Sequence, residues 1–425
     1  MAALLYLLVP VLGLFGASVY EPVRHTAAAI GLFRVLRGEA DIIHGVETHP
    51  IPDTITCEDL EYHPQSGMIY AGCSGDLAAT SGWMPGGDAL AHPENAPNGT
   101  IVIVDSKTLK SQKLSLENFE GRFATHGISL FTDPTDPEKV YIFAINHLPN
   151  PKWVPGSTEE KAASQVELFV HNVGSDSATH IRSIAHPMIR TPNDLIAISP
   201  NEFLVTNDHF YREGRLRFIE NFMGKIKSWT DLVHVRFDDE KVDVTVALDT
   251  IGTNNGIAWG PSGQVVIGDA AGGHVYFAEL GGGNNRTLTV SHSVPIDNIV
   301  DNPSFFADPY AGLDGKDYSG YLAPGASHGL TFLEDFADAS GQSKIPGEVW
   351  YLPLAAGQDK SLDGKKLRKR IFADDGSTIR SVTTAALVAI DPATNDGKRE
   401  AWLFVTGVVA PTMVATRINL ESLLV

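Results

Sequence analysis

A degenerate motif recurs along this chain: a polar pair, a short apolar strand, a Pro/Gly turn and a second apolar strand. Glu58-Asp59 opens LEYHPQSGMIYAG, His126-Gly127 opens ISLFTDPTDPEKVYIFAINH, Asn193-Asp194 opens LIAISPNEFLVTNDH, and Asn255-Gly256 opens IAWGPSGQVVIGD. Asp301-Asn302 opens a less regular fifth unit, and Ser381 precedes VTTAALVAI and then AWLFVTGVV (401–409). Units of this kind read as the blades of a β-propeller, an all-β fold. The uneven spacing excludes a tight solenoid array. Gly 40 and Pro 25 supply the turns such a fold needs.

In a propeller the innermost strand of every blade starts at one end of a shared channel. Residues remote in sequence, each at the first position of an inner strand, therefore converge on one axis. Here they are Glu58, His126, Asn193, Asn255 and Asp301. Buried carboxylates and amides are costly unless something satisfies them, and a hard cation on the axis would do so. Glu58, Asn193, Asn255, Asp301 and Asn302 offer two carboxylates and three amide oxygens. That set suits Ca²⁺, which takes six to eight oxygens in flexible geometry. Zinc would require His or Cys, for which only His126 and His147 stand ready. Asp59 and Asp194 follow two of these residues, and strand alternation would turn them the other way, toward a second site beneath the first. The competing reading is that ED, ND, NG and DN are ordinary turn and strand-start pairs.

With 51 acidic and 32 basic residues the net charge is −19, which argues against nucleic-acid binding. A hydrophobic fraction of 43% excludes disorder as the dominant state. No GxSxG marks an α/β-hydrolase, and no GxGxxG precedes a helix.

Residues 2–20 (AALLYLLVPVLGLFGASVY) are almost unbroken apolar, so they read as a cleaved signal, a retained anchor or a buried helix. Arg24, Arg34 and Arg37 beyond it sit awkwardly with secretion of an uncleaved chain. Residues 23–37 form a candidate second helix with Val23, Ala27, Ile30, Phe33 and Leu36 on one side, packed on the fold or adhering to a membrane surface. The expected domains are thus 1–40, a leader or anchor with an amphipathic helix, and 41–425, the propeller. Sequons at Asn98 and Asn285 fit a secretory chain, lumenal or extracellular. Antiparallel pairing around HPQSG (63–67) places Cys57 nearly opposite Cys73, as a disulfide or as two buried thiols. His63 reads as a turn residue, and His171 and His274 as strand surface.

The phrases CEDLEYHPQSGMIY, THGISLFTD, AINH then QVELF, TPNDLIAISPNEFLVTNDHFY, NNGIAWGPSG, IVDNPSF and IFADDGSTI come in the order of the paraoxonase/arylesterase family, which the chain resembles from about residue 40 onward. The resemblance implies a six-bladed β-propeller with an N-terminal hydrophobic helix and two calcium ions in the channel. It implies Glu58, Asn193, Asn255, Asp301 and Asn302 as ligands of a catalytic ion. Asp59, Asp194 and the carbonyl of Ile128 correspond to ligands of a deeper, structural one. His126 and His147 match the family's His–His dyad, and Asp208-His209 fall near the site. The implied activity is hydrolysis of lactones and aryl esters, sometimes organophosphates, with lipid-particle or membrane association through the N-terminus. The family's disulfide from the N-terminal region to the last strand has no counterpart, so closure must rest on strand pairing, or Cys57–Cys73 has a local role. The stretches 146–164 and 305–329 read as inserts that shape the pocket mouth. Two alternatives are a sugar lactonase of the gluconolactonase type and a non-catalytic calcium-stabilised propeller that binds lipids or partners.

Overall fold

The computed structural model describes residues 20, 23–37, 42–87, 89–217, 219–220, 229–249, 251–283, 286–359 and 367–424. Most of the apolar leader and the Asn285 sequon lie outside the described residues, whereas Asn98 is exposed. Among the described residues no helix is long and apolar enough to cross a membrane.

Six antiparallel sheets follow one another along the chain and make a six-bladed β-propeller. Their inner strands are Cys57–His63, Thr125–Asp133, Pro192–Ser199, Asn254–Trp259, Ser304–Phe306 and Val382–Ala389. Each sheet has four strands except the second, where Ser115–Glu117 adds a fifth in parallel to Ser177–Ile184. The middle strands read as continuous apolar runs because both their faces are covered. Alternate side chains then serve different neighbours. Val265 and Ile267 of the fourth sheet pack toward the third, and Val266 between them packs toward the fifth. In the first sheet, Ile101 and Ile103 face the second while Val102 and Val104 face the sixth. An apolar cluster thus fills each of the six interfaces between neighbouring sheets.

The ring closes through strand pairing. Thr48–Ile51 forms the outer strand of the last sheet, with Thr48 opposite Thr416 and Ile51 opposite Met413. Cys57 lies opposite Cys73 in the first sheet, and the two form a disulfide. Both expected features are therefore present, and the disulfide is local, with a sequence separation of 16.

All six inner strands begin at one end of the channel, here called the upper end. The N-terminal segment lies there. Residues 23–29 are helical, but the single helix expected over 23–37 is broken at Ile30-Gly31 before Leu32–Arg37 resumes. Gly31 has φ +74°, and a methyl group on it would fall 2.1 Å from the Ser327 carbonyl oxygen. The break changes which side is buried. Ala29 is fully covered, whereas Val23 and Phe33, expected on the packed side, are exposed. Arg34 pairs with Glu348 at 3.1 Å, and the His25 ring meets His274 edge-on.

Three histidines and two stretches differ from expectation. His171 and His274 are buried, not surface: the Tyr70 hydroxyl lies 2.9 Å from His171 Nδ1, and His274 Nδ1 lies 2.6 Å from the Gly272 carbonyl. His63 ends a strand, buried between Ser66 and Thr132. Both flanks of 146–164 are strand, leaving 150–161 as the loop. Gly320–Ala326 is the second strand of the fifth sheet, so 307–319 joins the far ends of two strands, away from the upper end.

Candidate metal and catalytic site

The polar pairs do stand at the upper ends of the inner strands, and local backbone irregularity decides where they point. Register shifts interrupt the ladders between Cys57 and Asp59, Pro192 and Leu195, Asn254 and Ile257, and Val382 and Thr384. A bulge of this kind re-aims adjacent side chains. It overrides the strict alternation expected for Glu58-Asp59 and Asn193-Asp194. Both members of each pair are buried in the channel, in successive layers.

Glu58 lies in the upper layer, 2% exposed; its Oε1 accepts a hydrogen bond from Asn302 Nδ2 at 2.7 Å. Asn302 Nδ2 also donates to Thr384 Oγ1 at 3.0 Å. The Thr383 and Thr384 hydroxyls donate to the Glu58 carbonyl oxygen. Two glycines let the neighbouring inner strands approach. A methyl on Gly127 would fall 2.6 Å from Asp194 Cα, and one on Gly256 would fall 2.4 Å from Asn302 Oδ1. Gly rather than any larger residue follows His126 and Asn255 for this reason.

Among the described residues, four oxygens of this layer are buried with no hydrogen-bond partner: Glu58 Oε2, Asn193 Oδ1, Asn255 Oδ1 and Asn302 Oδ1. Each is a residue expected to bind a cation. Asp301 beside them is partly exposed. Buried polar oxygens left without a partner cost about 1–3 kcal/mol each, more for a charged group. The carboxylates are strained electrostatically as well. Burial, then the charges of Asp301, Asp59 and Asp194, push the pKa of Glu58 well above the carboxylate range. Burial, then Asp59, does the same to Asp194 and Asp301. A divalent cation would reverse both penalties, so the residues present fit one. The chemistry of the set selects a hard ion. Among the described residues no three His, Cys, Asp or Glu side chains gather closely enough to hold a metal by themselves. Any ion here would depend on amide oxygens.

In the lower layer, Asp59 Oδ2 accepts the Ile128 N–H at 2.9 Å and its Oδ1 accepts Leu60 N–H at 2.8 Å and the Thr384 hydroxyl at 3.0 Å. Asp194 repeats the pattern with Ile257 and Leu195, at 2.8 and 2.7 Å. Each carboxylate is thus held by its own strand and by the next sheet. Ile128 is brought beside Asp59 through its N–H; its carbonyl is the group the resemblance implies as a ligand. Burial still outweighs these bonds and lifts Asp59 to about 6.

The two histidines come together. His126 Nδ1 is 2.9 Å from His147 Nε2, and His147 Nδ1 is 2.7 Å from Ser164 Oγ. The other nitrogen, His126 Nε2, lies 3.7 Å from Glu58 Oε1. Strand pairing sets this up, because Asn146 stands opposite Thr125 across a register shift and His147 stands opposite Ser164. Burial lowers the pKa of His126 to about 4, and burial with the neighbouring ring lowers His147 well below its usual range. Both rings are therefore neutral near pH 7. Asp208 stands nearby; against the pull of burial, His209 and Arg217 hold its carboxyl well below the usual value.

A roof covers the dyad. Trp83 Nε1 donates to the His147 carbonyl at 2.7 Å, and a methyl on Gly86 would fall 2.6 Å from His126 Cε1. The buried Arg217 donates to the Pro85 and Gly86 carbonyls, both at 3.0 Å. Ser164, Thr383, Thr384, Trp83 and Arg217 were not among the expected site residues. Thr383-Thr384 carry a legible signal, since they are the polar pair that opens the sixth inner strand.

The arylesterase family model matches residues 57–313. Canine serum paraoxonase/arylesterase 2 is 30% identical over 219 residues, covering 50% of this chain and 55% of that protein. Human serum paraoxonase/arylesterase 1 is 28% identical over 285 residues, covering 64% and 66%. Among solved structures, a luciferin-regenerating enzyme aligns over 88% of this chain and 95% of its own, with a TM-score of 0.44 and 10% identity. The chain spans about half the length of curated relatives such as the canine protein. With the family match covering more than half of its residues, the chain belongs to the paraoxonase/arylesterase family.

Proposed function

We propose that this protein is a calcium-dependent hydrolase of lactones and aryl esters. The observation that carries the reading is the set of four partnerless buried oxygens beside a hydrogen-bonded histidine pair. Glu58, Asn193, Asn255, Asp301 and Asn302 would hold a catalytic calcium ion, and Asp59, Asp194 and Ile128 a structural one. The chemistry calcium would supply is polarisation of the ester carbonyl and stabilisation of the developing oxyanion.

His126 is the general base. Its Nε2 takes a proton from an attacking water while Nδ1–H donates to His147 Nε2. His147 Nδ1–H in turn donates to Ser164 Oγ, which fixes the tautomer of both rings. The charge that His126 acquires is thereby shared along the chain of hydrogen bonds. The Gly86 roof keeps the pair dry and its hydrogen bonds strong. The Cys57–Cys73 disulfide supports a compartment outside the cytosol.

The test is hydrolysis of phenyl acetate and a lactone panel, titrated with calcium and repeated across pH. Turnover should rise from background to saturation with calcium. With calcium saturating, the acid limb of kcat/KM should fall below about pH 5, because burial holds the His126 ring neutral down to about 4. A bound cation would push the ring the same way. Calcium-independent turnover, or a limb at the ordinary histidine value near 6.5, would contradict the assignment.

A further inference from the structure

The calcium reading leaves Glu61, a carboxyl group of the lower channel, without a role. Glu61 lies two residues beyond Asp59 on the inner strand of the first sheet, so both side chains share a face of that strand. Its Oε2 accepts the Leu130 N–H at 2.7 Å. A cavity of about 560 Å³ occupies the lower part of the channel. Asp59, Glu61, Asp194 and Asn302 line its inner end, and Tyr62 and Trp259, farther along the strands, line its outer part. Asn302 is 1% exposed and its Oδ1 has no partner among the described residues, so a buried, unsatisfied oxygen borders this same cavity. At the upper end, by contrast, the Gly86 turn lies against His126.

We propose that the lower mouth is the route by which a divalent cation enters and leaves the channel, with Glu61 as the binding station between solvent and the Asp59–Asp194 pair. The proposal rests on the calcium reading. A carboxyl group in the cleft gives an arriving cation an oxygen ligand in place of water, and releases its proton as the cation binds. A hard cation shedding its water needs oxygen donors at each stage, and between solvent and the Asp59–Asp194 pair the lining offers Glu61 as a carboxyl donor beside neutral hydroxyls such as those of Tyr62, Ser129 and Ser304. Glu61 supplies one midway, on the same strand face as Asp59. A station lowers the barrier in both directions, so it governs exchange rate and not occupancy.

Exchange of radioactive calcium into the calcium-loaded full chain tests this. Glu61→Gln keeps an oxygen for the Leu130 N–H but cannot release a proton to become a carboxylate. Ala258→Phe narrows the mouth, which Ala258 lines, without touching a carboxylate. Both variants should exchange about tenfold more slowly, with calcium content unchanged. An unaltered rate in Glu61→Gln overturns the proposal, and so does a fall in calcium content, which would make Glu61 an ordinary ligand. Should Glu61→Gln not fold, Ala258→Phe decides: exchange as fast as wild type overturns the route. A wild-type chain that holds no calcium overturns the calcium reading itself, which the other outcomes leave intact.

Discussion

Glu58→Gln is expected to lose the catalytic calcium ion and the activity, whereas His126→Gln keeps both ions and loses only the activity. The two residues lie side by side, with His126 Nε2 3.7 Å from Glu58 Oε1, so their separation is a sharp test of role. Gln at 58 can still accept the Asn302 amide proton through its own oxygen. What it loses is one negative charge opposite three neutral amide oxygens, and calcium affinity tracks the charge count of its ligands. A loss of about 100-fold or more in affinity is expected, read by titration calorimetry. His126→Gln removes the ring that accepts the proton and the contact with His147 Nε2, but no oxygen of the ion set. The kcat should fall about 10²–10⁴-fold, the usual worth of a general base. If His126→Gln leaves kcat unchanged, a carboxylate such as Glu58 or Asp301 is the base instead.

Chelation is expected to lower the melting temperature by about 10 °C. A ligand at a thousand times its Kd stabilises the native state by about 4.1 kcal/mol. Unfolding entropy of about 2.1 cal/mol/K per residue gives about 0.9 kcal/mol/K for this 425-residue chain. Each ion is then worth about 5 °C. The physical source is plain in the channel. Without a cation, burial and mutual repulsion push Glu58, Asp194 and Asp301 well above the carboxylate range, so the empty channel favours their protonation. The same linkage gives a pH direction. Native-state values raised above the unfolded ones mean that the metal-free protein loses stability as pH rises from the unfolded carboxylate value through the folded ones. Calcium should abolish that loss. A scan in excess chelator that matches the scan in calcium would remove the structural ion from the account.

Much of this arrangement was legible in the sequence because propeller topology converts a repeat into a convergence. Glu58, His126, Asn193 and Asn255 stand at first positions of inner strands, and propeller topology then requires them to meet at one end. The pairing of Cys57 with Cys73 followed from one hairpin register. Other features rest on interactions the local pattern does not carry. The bulges that turn both Glu58 and Asp59 toward the axis break the period-two rule, and nothing in ED itself announces a bulge. Thr383-Thr384 do not stand out in the sequence as site residues, because hydroxyls suit a strand as well as a site. Closure by Thr48–Ile51 joins four residues to a strand more than 360 positions away. The roof over His126 likewise depends on two remote segments, a 3-10 turn bearing Gly86 and a helical stretch bearing Arg217.

The central claim is that side-chain oxygens from separate sheets meet around divalent ions, and counting those ions tests it most directly. Native mass spectrometry of the calcium-loaded chain should show two calcium ions in the wild type and one in Glu58→Gln. A wild-type chain that carries none, at calcium concentrations that saturate ester hydrolysis, would contradict it.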